Sequence, residues 1–284
     1  MNTPASSSPL KGIALMTLAM LLIPVVDGLA KHLSADYSPM FIGWARYAVA
    51  SLIVLPFALF SHGRRIFPQN NLRPHILRTV FLTSAMTLFF FAIAITPLAT
   101  AISAYFVAPI IAALLAVLFL GERLTRRKTL ALVAGFAGAM IILRPGADLD
   151  PGILLAMGAG ALFALYVITT RQASRQSDPV RTLVFQCVVG TALLTPLALW
   201  AWSVPKADEI WLFLAMGVVS ALSHLLSITA FRHAEASTLA PLIYLELVAA
   251  AGIGFVFFGE IPDLAIWLGA GIIVFSGLLL ARAR

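Results

Sequence analysis

Cysteine and charged residues are scarce in this chain. Cys187 is the one cysteine among 284 residues, and charged residues make up 11% of the chain, whereas soluble domains carry about 25%. Because Cys187 lies alone in an apolar run, it supports neither a disulfide nor a cluster of metal-binding thiolates. The shortage of charge leaves too little polar surface for a fold in water.

The sequence motifs of common enzyme classes are also missing. There is no G-x-x-x-x-G-K-[ST] phosphate-binding loop, no H-E-x-x-H zinc motif and no G-x-S-x-G nucleophile motif. The ionisable residues within the apolar runs are scattered singly, not gathered as a cluster of His, Asp and Glu. The sequence therefore predicts that the protein is not an enzyme and needs no cofactor and no metal.

Apolar residues dominate instead. They make up 61% of the chain, and the mean hydropathy is +0.99. Runs of about 20 apolar residues recur between short polar breaks, which is typical of transmembrane helices. The sequence predicts an all-α polytopic protein of the lipid bilayer, with ten spans near residues 11–33, 39–61, 74–96, 99–120, 126–144, 151–172, 178–202, 208–233, 236–258 and 262–282.

The net charge of +7 follows from basic residues in short loops beside the spans. Such loops are typical of the cytoplasmic side of a membrane, so we expect no nucleic-acid partner. Ten spans place both termini in the cytoplasm, because one side of the membrane then collects Lys11, Arg64, Arg65, Arg73, Arg78, Arg123, Arg126, Arg127, Lys128, Arg171, Arg175, Arg181, Arg232, Arg282 and Arg284.

The two halves of the chain repeat each other. Gly121-Glu122 recurs as Gly259-Glu260, an offset of 138 residues, and Pro39 recurs as Pro179, an offset of 140. The linker at residues 144–152 separates five spans from five, so we predict a first repeat at 1–146 and a second at 147–284. Both Gly-Glu pairs end a span, and a structural role is expected for their glutamates.

An odd number of spans in each half means that the second half enters the membrane upside down. The loop after Glu122 is accordingly basic, with Arg126 and Arg127, whereas the loop after Glu260 contains Pro262 and Asp263. This pattern predicts two inverted five-helix repeats, which are typical of alternating-access transporters. A channel would need a selectivity element, which the sequence lacks. A membrane binding or lipid-handling protein remains an alternative.

Proline followed by Gly-Glu in the fourth span of each half resembles the drug/metabolite transporter superfamily, in its EamA-domain branch. The resemblance rests on Pro109, Gly121-Glu122-Arg123-Leu124, Ala240-Pro241, Glu246 and Gly259-Glu260. Within that branch the chain is most similar to YddG-type exporters of aromatic amino acids. The resemblance implies a monomer or homodimer in the bacterial inner membrane that exports amino acids, aromatic ones first, or similar metabolites. A drug exporter, a facilitator and a proton-coupled carrier all fit this fold.

Seven residues are candidates for binding the substrate. Ionisable groups within spans are costly and suggest function, and aromatic rings suit aromatic or amphipathic solutes. The candidates are Asp27, Phe90, Tyr105, Tyr166, His224, Tyr244 and Glu246. Three of them have structural alternatives: Asp27 could pair with Arg46 or Lys31, Glu246 could cap a broken helix or carry a proton, and His224 could bond to neighbouring helices with Ser220, Ser223 and Ser227.

Overall fold

The computed structural model describes residues 8–69, 71–95, 104–143, 151–258 and 264–281, and these residues are helical apart from short connections. The helices are α1 Pro9–Leu33, α2 Pro39–His62, α3 Arg73–Ile95, α4 Ala108–Leu120, α5 Arg126–Leu143, α6 Pro151–Gln176, α7 Pro179–Trp200, α8 Ile210–His233, α9 Ala236–Leu239, a 3₁₀ segment Ala240–Tyr244, α10 Leu245–Phe258 and α11 Leu264–Ala281.

The prediction of an all-helical membrane protein is confirmed. Six stretches within the described helices are long and apolar enough to cross a membrane, and two shorter helices, at Ala108–Leu120 and Leu264–Leu279, are also apolar. Large apolar side chains on these helices point away from the protein, as in Phe60, which is 94% exposed, and Leu118, which is 75% exposed. Such surfaces are stable against lipid tails and costly in water.

Four helices begin at a proline, and two of these are also capped by a side chain. Pro39 and Pro179 occupy the first turns of α2 and α7, where the missing N–H costs no hydrogen bond. The preceding residues, Ser38 and Asp178, accept hydrogen bonds from the backbone N–H two residues ahead, at 3.4 and 2.9 Å. Local sequence therefore fixes where the second span of each half begins.

The fourth and ninth spans are interrupted helices, which the sequence did not predict. The ninth divides into α9, a 3₁₀ segment and α10, because Pro241 lacks an N–H and its ring obstructs a regular helix. In the fourth span a turn at residues 106–107 precedes α4, and residues 96–103 lie outside the described part. The two interruptions meet: Phe106 and Tyr244 stack at 5.8 Å, and the Tyr244 hydroxyl donates to the Phe106 carbonyl at 3.3 Å.

The helices pair in a regular way across the middle of the chain. The closest packing joins α3 to α6, α1 to α8, α2 to α7 and α5 to α11. When each helix is replaced by the one five spans further along the chain, counting from the tenth span back to the first, the α3–α6 pair becomes the α8–α1 pair. The α2–α7 and α5–α11 pairs are unchanged. Where α2 crosses α7, Ser51 and Thr191 approach within 3.2 Å, and these two positions are 140 residues apart, the offset of the sequence repeat.

Small residues allow the helices of this core to pack closely. A Cβ atom placed on Gly160 in α6 would lie 2.6 Å from the backbone oxygen of Tyr105, and one on Gly138 in α5 would lie 2.8 Å from the backbone oxygen of Gly269. The Gly158–Gly160 and Gly135–Gly138 stretches therefore permit close helix contact.

Replacing Gly160 by alanine should therefore destabilise the protein. A methyl group against a backbone carbonyl has no rotamer that relieves the contact, so Gly160→Ala should cost roughly 1–3 kcal/mol and lower the midpoint of thermal unfolding in detergent. Gly252→Ala is the matched control, because a Cβ there has no neighbour within 4 Å. Equal midpoints for the two variants would contradict this account of the packing.

Candidate functional site

Charged side chains from three helices lie close enough to interact electrostatically. Asp27 of α1 interacts in this way with Arg46 of α2 and with Glu246 of α10. Arg46 and Glu246 are half-buried and Asp27 is exposed. Because all three side chains keep accessible surface, we interpret the space between their helices as a cleft.

The interruption of the ninth span places Glu246 at this cleft. Glu246 lies in the first turn of α10, directly after the 3₁₀ segment. The first N–H groups of a helix have no partner within it, and they stabilise a negative charge nearby. The break in the ninth span therefore places the Glu246 carboxylate at a helix N-terminus, where a negative charge is stabilised.

Arg78 is the most buried charge in the described structure, with no accessible surface. Its guanidinium group donates to the Thr170 hydroxyl at 3.2 Å, to the Thr182 carbonyl at 3.3 Å and to the Tyr166 hydroxyl at 3.4 Å, and it lies 5.3 Å from the centre of the Tyr166 ring. These hydrogen-bond partners are all uncharged. Arg78 was counted with the basic residues of one side of the membrane although it lies inside the predicted span 74–96, and α3 buries its side chain completely.

Tyr166 connects Arg78 to His224. The Tyr166 side chain is 3% exposed, and its hydroxyl lies 3.4 Å from Nδ1 of His224 in α8. His224 is half-buried and interacts electrostatically with Arg46 and Arg78. The Ser223 hydroxyl donates to the Ser220 carbonyl of its own helix at 3.0 Å.

An aromatic wall extends from the basic residues to the acidic ones. The Tyr105 ring lies 5.2 Å from Phe89 and 5.6 Å from Phe163, and Phe163 lies 5.4 Å from Tyr166. Tyr105 also interacts electrostatically with Glu246. A flat solute that contacted this wall would lie near both acidic and basic side chains.

Gln186 of α7 is a second residue that sequence reasoning missed. It is fully buried, and neither of its amide atoms has a hydrogen-bond partner among the described residues. It shares a helix face with Thr182, which contacts Arg78, and with Gly190, which packs on the Tyr47 ring. A buried amide without a partner costs about 1–3 kcal/mol, so this position favours a bound polar group.

Of the seven residues predicted from the sequence, the structure brings five together: Asp27, Tyr105, Tyr166, His224 and Glu246. Tyr244 is fully buried against Phe106 instead. The side chain of Phe90 lies outside the described part. That these residues bind a substrate stays a prediction.

Glu122 joins the two halves of the chain at one end of the helices. Gly121 ends α4 in a left-handed conformation, with φ at 64°. The buried carboxylate of Glu122 then accepts hydrogen bonds from the backbone N–H groups of Ala236 at 3.0 Å and Ser237 at 2.8 Å, and Arg171 lies 3.7 Å away. This contact agrees with the structural role expected for Glu122, while Glu260 lies outside the described part.

A second set of contacts closes the opposite end. The Tyr37 hydroxyl donates to Glu209 at 2.5 Å and accepts from the backbone N–H of Lys206 at 2.8 Å. The Lys206 ammonium lies 2.9 Å from Asp36, and this hydrogen bond raises the pKa of Lys206. The Tyr37 ring packs edge-on against Phe213 at 5.2 Å. The cleft therefore lies between two ends of the helix bundle, and each end is closed by its own contacts, those of Glu122 and those of Tyr37.

The sequence matches a known family along nearly its whole length. The profile of the EamA-like transporter family matches residues 10–144 and again residues 150–282. The chain is 29% identical to an S-adenosylmethionine uptake transporter of Rickettsia felis, over 93% of this chain and 90% of that protein. It is also 29% identical to a riboflavin transporter of Vibrio cholerae, over 94% and 92% of the two chains.

Two further likenesses extend this result. The chain is 29% identical to a pseudopaline exporter of Pseudomonas aeruginosa, over 96% of both chains. It also superposes on a solved crystal structure with a TM-score of 0.82, over 94% of this chain and 95% of that one, at 17% identity. The structural likeness shows the fold alone.

Weakening the hydrogen bonds of Glu122 should open the end of the helix bundle at which this residue lies. Glu122→Gln places an amide NH₂ against a backbone donor and removes the partner of Arg171, at a cost of about 1.5–3 kcal/mol. A cysteine introduced as Ala240→Cys, just inside this contact, should then react at least about ten times faster with a maleimide. The native Cys187 is buried and gives little background.

Glu209→Gln is the control for this experiment, since Glu209 belongs to the opposite end. It should not raise the labelling rate of the introduced cysteine, because loosening the opposite end favours the state in which the Glu122 end is closed. Equal rates in Glu122→Gln and in the parent would mean that Glu122 does not hold this end closed.

Proposed function

Because the chain belongs to the EamA-like transporter family, we propose that it carries a small zwitterionic metabolite with a flat ring across the bacterial inner membrane. The observation that carries this proposal is the meeting of carboxylates, guanidinium groups and tyrosines in one interior cleft. The family consists of transporters, so the chemistry of the site is recognition and release, and no bond is broken.

The charges of the cleft favour one class of substrate. Asp27 and Glu246 supply carboxyl groups, and Arg46 and Arg78 supply guanidinium groups. S-Adenosylmethionine carries ammonium, sulfonium and carboxylate groups and a flat adenine, and these match the acidic and basic groups and the aromatic wall. Riboflavin is uncharged at neutral pH and offers no charge to either kind of group. Aromatic amino acids share the charges and a ring, and they remain the next candidates.

The mechanism that we propose is alternating access between two inverted halves, residues 1–146 and 147–284. Three features support it: the helix pairing is unchanged by a shift of five spans, and the contacts Ser51–Thr191 and Phe106–Tyr244 each join positions at the repeat offset. The Glu122 contact would open in one state and the Tyr37 contact in the other.

The orientation that we propose places the Glu122 end in the cytoplasm together with both termini. Support comes from the basic residues beside Glu122. Lys128 contacts Glu235 and donates to the Ser237 hydroxyl at 2.9 Å, and Arg171 donates to the Phe231 carbonyl. An excess of such residues is typical of cytoplasmic ends.

Transport in proteoliposomes tests this function. We expect saturable flux of labelled S-adenosylmethionine or tryptophan and none of riboflavin. The flux is measured with and without a pH gradient, because exchange for a proton carried by the Asp27–Glu246 pair is the alternative to facilitated movement. The absence of saturable flux for all three solutes would contradict the proposal.

Neutralising either carboxylate should weaken recognition of the cationic group. Asp27→Asn and Glu246→Gln should each raise KM by roughly 10- to 100-fold, since a hydrogen bond to a charged group contributes about 1.5–3 kcal/mol. Asp208→Asn, in an exposed loop, is the control and should leave KM unchanged. Flux with an unchanged KM in both variants would agree with a transporter but would show that Asp27 and Glu246 do not bind the cationic group.

A further inference from the structure

The hydrogen bonds around Tyr166 have a fixed direction. A guanidinium group can only donate, so the Tyr166 oxygen is the acceptor of its bond with Arg78 at 3.4 Å. The single hydroxyl proton of Tyr166 is then available for the other contact of that oxygen. This contact is Nδ1 of His224, at 3.4 Å.

The surroundings of His224 favour one form of its ring. Burial and the nearby guanidinium groups of Arg46 and Arg78 favour a neutral imidazole. In a neutral ring one nitrogen accepts and the other carries the proton. When Nδ1 accepts from Tyr166, the proton lies on Nε2, and that nitrogen is a hydrogen-bond donor.

We propose that Arg78, Tyr166 and His224 form a donor relay that selects substrates with a carboxylate at this end of the cleft. His224 is the binding residue, and Arg78 and Tyr166 are positioning residues that act through it. The inference rests on the proposed function, and it assigns one end of the substrate: the carboxylate lies toward His224 and the cationic group toward Asp27 and Glu246.

The relay gives the site a means of discrimination. A solute with the same ring and amine but no carboxylate would leave the His224 N–H without an acceptor. Sites built to bond a polar group reject analogues that lack it far more strongly than apolar pockets reject a change of size.

Paired substrates test the selection. Tyr166→Phe keeps the ring and removes only the hydroxyl, so its KM for S-adenosylmethionine should rise by about tenfold, whereas its KM for the decarboxylated analogue should change by less than about twofold. Tryptophan and tryptamine form a second pair. Thr229→Val is the control: it removes a hydroxyl of α8 that donates to the Leu225 carbonyl of the same helix at 2.6 Å, and it should leave the ratio of the two KM values unchanged.

The tautomer is tested separately from transport. In ¹⁵N-histidine spectra of the full chain in nanodiscs, the signal that His224→Gln removes should show an unprotonated Nδ1 and a protonated Nε2. Tyr166→Phe should convert this signal to a mixture of both forms. Arg78→Lys, which keeps the charge but not the planar fork, should shift the signal in the same direction.

Each result decides the proposal. An equal rise in KM for both members of a pair, or no rise for either, would overturn the selection by the relay. A protonated Nδ1 in the unmodified protein would overturn the relay itself. If neither pair is transported, the proposed function fails, and the spectra still judge the relay on their own.

Discussion

Hydrocarbon offers no hydrogen-bond partners, and this constraint explains where the polar groups of the protein lie. A charge within a membrane helix must find its partners inside the protein or in a water-filled cleft. Arg78 satisfies its donors on α6 and α7, and Arg46 and Glu246 face Asp27. Because unpaired charges are costly in the membrane, polar side chains that are far apart in the sequence contact one another. The same contacts that allow these helices to lie in lipid therefore also form a polar site lined by aromatic rings.

The same constraint applies to the backbone at the two interruptions. Where the fourth and ninth spans break, the Tyr244 hydroxyl bonds to the Phe106 carbonyl, so the freed polar group of one half is satisfied by the other. At the end of the fourth span, Glu122 does the same for the N–H groups of Ala236 and Ser237. The halves therefore share a few directional bonds in addition to the apolar packing of their paired helices.

Hydropathy and proline placement predicted most of the fold. Pro39 and Pro179 began their helices where expected, and Asp27 and Glu246 were found because an acidic residue is rare in an apolar run. Arg78 was missed because it was counted with the basic residues of the cytoplasmic side, although it lies in the first turns of the predicted span 74–96. Its bond to Tyr166 joins positions 88 residues apart, and no local pattern encodes such a contact.

The contact between Ser51 and Thr191 has a consequence for how such a chain can change. If an ancestral protein consisted of one half that formed a homodimer, the residue at this position would have contacted the same residue of the second copy. Every mutation would then have altered both sides of the contact. In the present chain the two sides are inherited separately, and they already differ by one methyl group, as Phe106 and Tyr244 differ by one hydroxyl. After the two halves were fused into one chain, the residues at their contact could mutate independently. The site between them could then become asymmetric, as recognition of a solute with two different ends requires.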